Sequence, residues 1–211
     1  MKRLVALFVV AMLWSVFAIG QTKLNDQKQE QFLHKINVAT TSMKTMRCDF
    51  VQTKKMKLMR NDMVSKGIMC FSSPNKLRWE YNAPYSYVFV LNGEKVSVKS
   101  AKVTQNIDVQ QNKMFRQLSK IILNSVTGGH LKSSADFNVE IWKNKDKYTA
   151  RLLPKKKELK KLYRFIEISF NTALTMVETV RMEEMTGDIT IVNLKNVKIN
   201  QPISENNYSI N

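Results

Sequence analysis

Between Gly67 and Gly93 large apolar side chains alternate with charged ones. Leu77, Trp79 and Tyr81 stand against Lys76, Arg78 and Glu80. A period of two predicts a strand with one dry face and one wet face. Similar runs predict strands over 46–55, 64–72, 76–81, 87–91 and 95–100, with Met46, Cys48 and Phe50 on one side of the first. Asn92-Gly93 is a two-residue hairpin signal, and Val96 and Val98 face one way on the returning strand. Further on, 136–142 and 147–153 predict a hairpin over Asn144-Lys145-Asp146. The runs 162–170, 175–183 and 189–199 predict a meander whose last turn is Thr186-Gly187-Asp188.

Two segments change period. Phe32, Ile36, Ala39 and Met43 recur at helical spacing within 25–43, with Asp26 and Gln29 as a capping box. Phe115, Leu118, Ile122 and Val126 do the same within 112–126, and Gly128-Gly129 stops that helix. One antiparallel sheet with a helix before it and a helix inserted in it is an α+β fold. Its apolar face must be covered. The economical arrangement is an incomplete antiparallel β-barrel, a strongly curved sheet, with a helical lid over a hydrophobic cavity. A sandwich with a solid core fits the same pattern.

The first residues bring in a compartment. Lys2 and Arg3 precede an apolar run over 4–17, and Ala18-Ile19-Gly20 supplies small residues before Gln21. This predicts a secretory signal peptide over 1–20, with an uncleaved anchor as the alternative. Residues 21–211 then form a single domain, long enough for a real core. Gln21 is not a cysteine, so the mature chain is not expected to be a lipoprotein itself.

The net charge is +17. For an exported protein such a balance suits anionic headgroups or an acidic partner better than nucleic acid. Lys155, Lys156, Lys157, Lys160 and Lys161 form the sharpest basic run, predicted as an exposed loop after Pro154. It reads either as solvated surface or as a contact with a membrane or partner. Cys48 and Cys70 lie on neighbouring predicted strands. In an oxidising compartment they pair, or they stay as two buried thiols. Two cysteines are too few for a structural zinc site, and neither a metal nor a cofactor is expected.

Catalytic signals are absent. The chain has two histidines, His34 and His130, neither near a nucleophile in sequence. No nucleophile elbow, phosphate-binding loop or zinc-protease motif occurs. Glu183-Glu184 reads as a strand end rather than a glycosidase pair. The chain is read as a non-enzyme.

Several of these residues together resemble a known family. Phe50-Val51-Gln52 is similar to its F-x-Q strand, and Gly67 and Phe71 to the glycine and aromatic of the next. Pro74, Leu77, Arg78, Trp79, Tyr81 and Pro84 match its proline, tryptophan and tyrosine signature, and Asn92-Gly93 its following hairpin. The chain thus resembles the LolA family of periplasmic outer-membrane lipoprotein carriers. The resemblance implies a periplasmic chaperone with a hollow interior that takes lipoprotein acyl chains. Phe50, Leu77, Trp79, Tyr81, Phe89 and Leu91 would line the cavity. Phe115, Leu118 and Ile122 would form the lid's inner face. Implied partners are acylated lipoproteins, an inner-membrane ABC transporter that releases them, and an outer-membrane receptor or membrane surface, with the carrier a monomer. The alternatives are a carrier of another lipid and a lipid-sensing regulatory domain. The family's arginine before the first proline is replaced by Ser73.

Overall fold

The computed structural model describes residues 21–100, 104–108, 131 and 136–209. The predicted leader and the second predicted helix, with Phe115, Leu118, Ile122 and His130, lie outside the described residues.

Twelve strands form one open sheet among the described residues. Helix α1 (Asp26–Thr41) follows the short strand β1 (Thr22–Lys23). Then come β2 (Thr45–Lys55), β3 (Met63–Ser72), β4 (Lys76–Ala83), β5 (Tyr87–Asn92), β6 (Lys95–Ser100) and β7 (Thr104–Asp108). The second half holds β8 (Phe137–Asn144), β9 (Lys147–Pro154), helix α2 (Lys157–Leu162), β10 (Tyr163–Phe170), β11 (Val177–Glu184) and β12 (Ile189–Ile199). A 3-10 turn, Glu205–Tyr208, ends the description. The spatial order is β1-β8-β9-β10-β11-β12-β2-β3-β4-β5-β6-β7, all antiparallel. The two halves join where β12 pairs with β2, Leu194 opposite Phe50.

Alternation sorts the side chains between two faces. The inner face carries Met46, Cys48 and Phe50 of β2, Met69 and Phe71 of β3, and Leu77 of β4 in one core cluster. Ile141, Ala150, Ile166, Ile168 and Val192 extend it through the other half. Helix α1 lies on this face: Phe32 stacks on Tyr148 at 5.2 Å and meets Phe170 edge-on at 5.5 Å. The helix is capped by Asn25, whose side chain accepts from the Lys28 N–H, rather than by the expected box. Gln29 instead crosses to β8, accepting from the Ile141 N–H and donating to the Val139 carbonyl.

The outer face is wet over β9–β11. Glu167 takes Arg151 at 2.7 Å and Arg181 at 3.3 Å, and both guanidinium groups lie 5.0 Å from the Phe165 ring. Over β3–β5 the C-terminal segment covers it. Tyr208 is buried against Cys70, Val88 and Val90, and its hydroxyl shares a 2.6 Å hydrogen bond with Ser72.

The expected loop over the basic run is partly a helix. Leu159 is buried and anchors α2, with Glu158 in its first turn and Lys160 and Lys161 in its last. That charge order suits the helix dipole. Strands β1 and β7 were not anticipated from the alternation.

Candidate functional site

The residues of the F-x-Q, glycine and W-x-Y segments meet on the inner face. Phe50 faces Gly67 across β2–β3, and Gly67 faces Tyr81 across β3–β4. A Cβ on Gly67 would stand 1.9 Å from the Glu80 carbonyl oxygen and 2.7 Å from the Phe50 ring. The glycine therefore lets β4 close in and lets Phe50 lie across the gap. The Phe50 ring centroid is 4.7 Å from that of Trp79 and 5.1 Å from that of Tyr81. Tyr81 continues the row to Tyr87 at 5.9 Å, and its hydroxyl donates to Gln52 Oε1 at 2.9 Å. Gln52 thus holds the tyrosine that Phe50 packs against.

Six expected lining residues share this face. Phe50, Leu77 and Leu91 are fully buried, whereas Trp79, Tyr81 and Phe89 are half-buried on the core's margin. Trp79 Nε1 is buried without a hydrogen-bond partner among the described residues. Burial pushes the Tyr81 phenol up, and the nearby Trp79 N–H partly offsets this although it falls outside hydrogen-bonding geometry. The row is a largely apolar aromatic surface whose polar atoms are the Tyr81 hydroxyl, held by Gln52, the Trp79 N–H and the Tyr87 hydroxyl at its outer end.

Helix α1 covers the β8–β10 part of this face, through Phe32 and Gln29. Two hollows formed by described residues lie elsewhere. One of about 290 Å³ sits between α1 and the β8–β9 turn, lined by Lys28, Lys35, Lys143 and Tyr148. The other, about 550 Å³, opens on the outer face beside Arg78, Glu80 and Asn207.

The cysteines do not pair. Cys48 stands opposite Met69 and belongs to the inner core, while Cys70 stands opposite Arg47 and belongs to the outer cluster under Tyr208. Adjacent strands placed them near each other, but the register put them on opposite faces. Both are free and buried. Burial, with the Asp49 charge, pushes the Cys48 thiol up to about 12, and burial also raises Cys70. Reduction should therefore leave the intact mass unchanged, and neither thiol should alkylate at neutral pH until the chain unfolds. A folded state that keeps a proton the unfolded state has lost is destabilised by alkali. The stability from the Cys48 thiol is fully present below about pH 9 and is lost as pH rises toward about 12. A thermal melt across that range checks it.

Glu183 pairs with Arg164 and Arg181, and Glu184 with Lys54. His34 is exposed on α1. No cluster of His, Cys, Asp and Glu among the described residues could hold a metal ion. No helix among them is long and apolar enough to cross a membrane.

The described residues thus form an open antiparallel sheet with an aromatic row on one face. The family model described as outer membrane lipoprotein carrier protein LolA matches residues 41–211, and the chain belongs to that family. The outer-membrane lipoprotein carrier protein of Chromohalobacter salexigens is 24% identical over 145 residues, 69% of this chain. The match spans 66% of that relative, just under two thirds of its length. An uncharacterized conserved protein from Thermus thermophilus has a similar fold, with a TM-score of 0.51 at 8% identity over 86% of this chain and 93% of that one. The Mycobacterium tuberculosis lipoprotein LppX aligns at a TM-score of 0.48 and 13% identity, over 85% of this chain and 99% of that one.

Proposed function

We propose that this protein is a periplasmic carrier that takes the acyl chains of lipoproteins and delivers them to the outer membrane. Residues 1–20 direct export, and 21–211 form the working domain. The observation that carries the reading is the family match over 41–211, together with the signature aromatics on a single apolar face. Each methylene moved out of water contributes about 0.8 kcal/mol. A chain-bearing lipoprotein therefore does not leave a bilayer for water unaided. It needs an apolar refuge for hydrocarbon, and the Phe50, Trp79, Tyr81 and Phe89 rings offer a largely apolar surface. In this reading 112–126 forms the lid, with Phe115, Leu118 and Ile122 inward. An inner-membrane ABC transporter supplies the energy for loading. Release runs downhill to an outer-membrane receptor or to the membrane itself. Ser73 stands on the exposed turn before Pro74, where the family's arginine would serve handover, so handover here uses other residues.

Native mass spectrometry of the protein from its own host tests the reading. Bound acylated lipoprotein is the expected result. A different bound lipid would redirect the assignment to another cargo. Protein that stays empty when outer-membrane delivery is blocked would overturn it.

A further inference from the structure

The connections at one end of the sheet form a continuous rim. In sheet order they are the β9–β10 connection with α2, the β11–β12 turn, the β2–β3 hairpin and the β4–β5 loop. The first three are tied to one another. The Met185 N–H donates to the Leu162 carbonyl at 3.0 Å. The Lys57 N–H donates to Asp188 Oδ1 at 3.1 Å.

Exposed apolar side chains concentrate there. Among the described residues ten large apolar side chains are exposed, and eight lie on this rim. Leu58 at the hairpin tip is 97% exposed, Tyr85 78% and Met59 55%. Met63 and Val64 follow on the hairpin, Leu162 and Met185 mark the neighbouring connections, and Tyr87 opens β5. The remaining two, Val38 on α1 and Ile199 at the far end of β12, stand apart. The opposite end of the sheet turns through Asn92-Gly93, Asn144-Lys145-Asp146 and 171–176, and in the last the apolar Leu174 and Met176 are half-buried rather than exposed. Folding leaves these eight side chains in water, an arrangement that exposed apolar tips keep when something else covers them.

Basic residues surround the tips. Lys57, Arg60, Lys66, Lys157, Lys160 and Lys161 make no ion pair among the described residues. Lysines occur over the whole surface, but among the described residues most of the exposed apolar side chains that stand beside them are on this rim. The tips are separate points, Leu58, Met59, Tyr85 and Met185, with cations between them, and not a continuous apolar groove. A groove would suit a protein helix. Points with cations between them suit a bilayer: the tips enter the acyl boundary while lysine stems leave their ammonium groups among the phosphates. The net charge of +17 completes the match to an anionic surface.

We propose that this rim docks the protein on anionic lipid bilayers, with Leu58 as its deepest point. The docking does not depend on which lipid the inner face takes. The aromatic row from Trp79 through Tyr81 to Tyr87 runs from the core toward the same rim, so docking sets the inner face beside the membrane.

The mature chain is mixed with vesicles of phosphatidylcholine, with and without phosphatidylglycerol, and binding is read by sedimentation. Binding to the anionic vesicles, weakened by salt, is expected. Lys57→Glu with Arg60→Glu should lower it by at least about twentyfold, since each basic residue near an anionic surface accounts for about fivefold. Leu58→Asp should lower it about tenfold or more, and at 97% exposure it leaves the fold intact. Leu58→Trp should shift its emission to the blue on vesicles. Lys195→Glu with Lys198→Glu, the same charge change at the far end of β12, should have little effect. The proposal is overturned if the unaltered chain does not bind anionic vesicles. It is equally overturned if Leu58→Asp binds as before, or if the far-end pair loses as much as the rim pair.

Discussion

Gly67→Ala should unfold more of this protein than any other single methyl addition among its described glycines. The added carbon would sit 1.9 Å from the Glu80 carbonyl oxygen, and that oxygen belongs to the β4 backbone. No side-chain rotation relieves such a contact, so the strand pair must part. Parting breaks the β3–β4 ladder beside its bulge, where Lys66 faces Ala83 and Gly67 faces Tyr81. It also lifts Phe50 away from Trp79 and Tyr81. Overpacking of this kind costs about 3 kcal/mol or more. Gly93→Ala makes the comparison. Its φ of +64° penalises a side chain, but nothing lies within 4 Å of the added carbon. The cost there is backbone strain alone, roughly 1–2 kcal/mol. Urea unfolding of the two variants should show the larger drop in midpoint for Gly67→Ala. Equal drops would mean that the close approach of β4 is not the reason for the glycine.

The same glycine shows what the chain discloses before folding. Alternation located ten of the twelve strands, because apolar residues recur at alternate positions over at least part of most of them. It passed over β1, which has two residues, and β7, whose Thr-Gln-Asn-Ile-Asp run alternates little. It took α2 for a loop, because five lysines mask Leu159, the buried residue that holds the turn down. The individual residues of the site were visible as motif positions. Their relation was not, because F-x-Q, the glycine and W-x-Y touch only through the β2–β3–β4 register. Register also decided the cysteines: neighbouring strands left a bridge and two free thiols both open, and one step of alternation put the two thiols on opposite faces. The rim was hidden for a related reason. Its apolar residues come from four connections that only the strand order brings together.

Two substitutions on one face should separate folding from carriage. Leu77 is 0% exposed and sits between Phe71 and Leu91 on the neighbouring strands. A carboxylate in that place has no partner and no water, which costs several kcal/mol. Leu77→Glu should therefore yield little folded protein, and its failure to carry cargo would say nothing about the site. Phe89 lies opposite Trp79 and Val98 on the same face but is half-buried. Phe89→Glu can turn its charge toward water, at a cost of about 1–2 kcal/mol to the fold. Near hydrocarbon that charge remains unfavourable, and the lost ring contact removes apolar area from the cargo's path. Folded Phe89→Glu should bind an acyl-chain probe at least about tenfold more weakly while keeping its unfolding cooperativity. Vesicle docking through Leu58 should be unchanged in the same variant, because the rim and the inner face are different surfaces. Retention of full acyl-chain binding by folded Phe89→Glu would move the cargo off this face, and with it the role assigned to Trp79 and Tyr81.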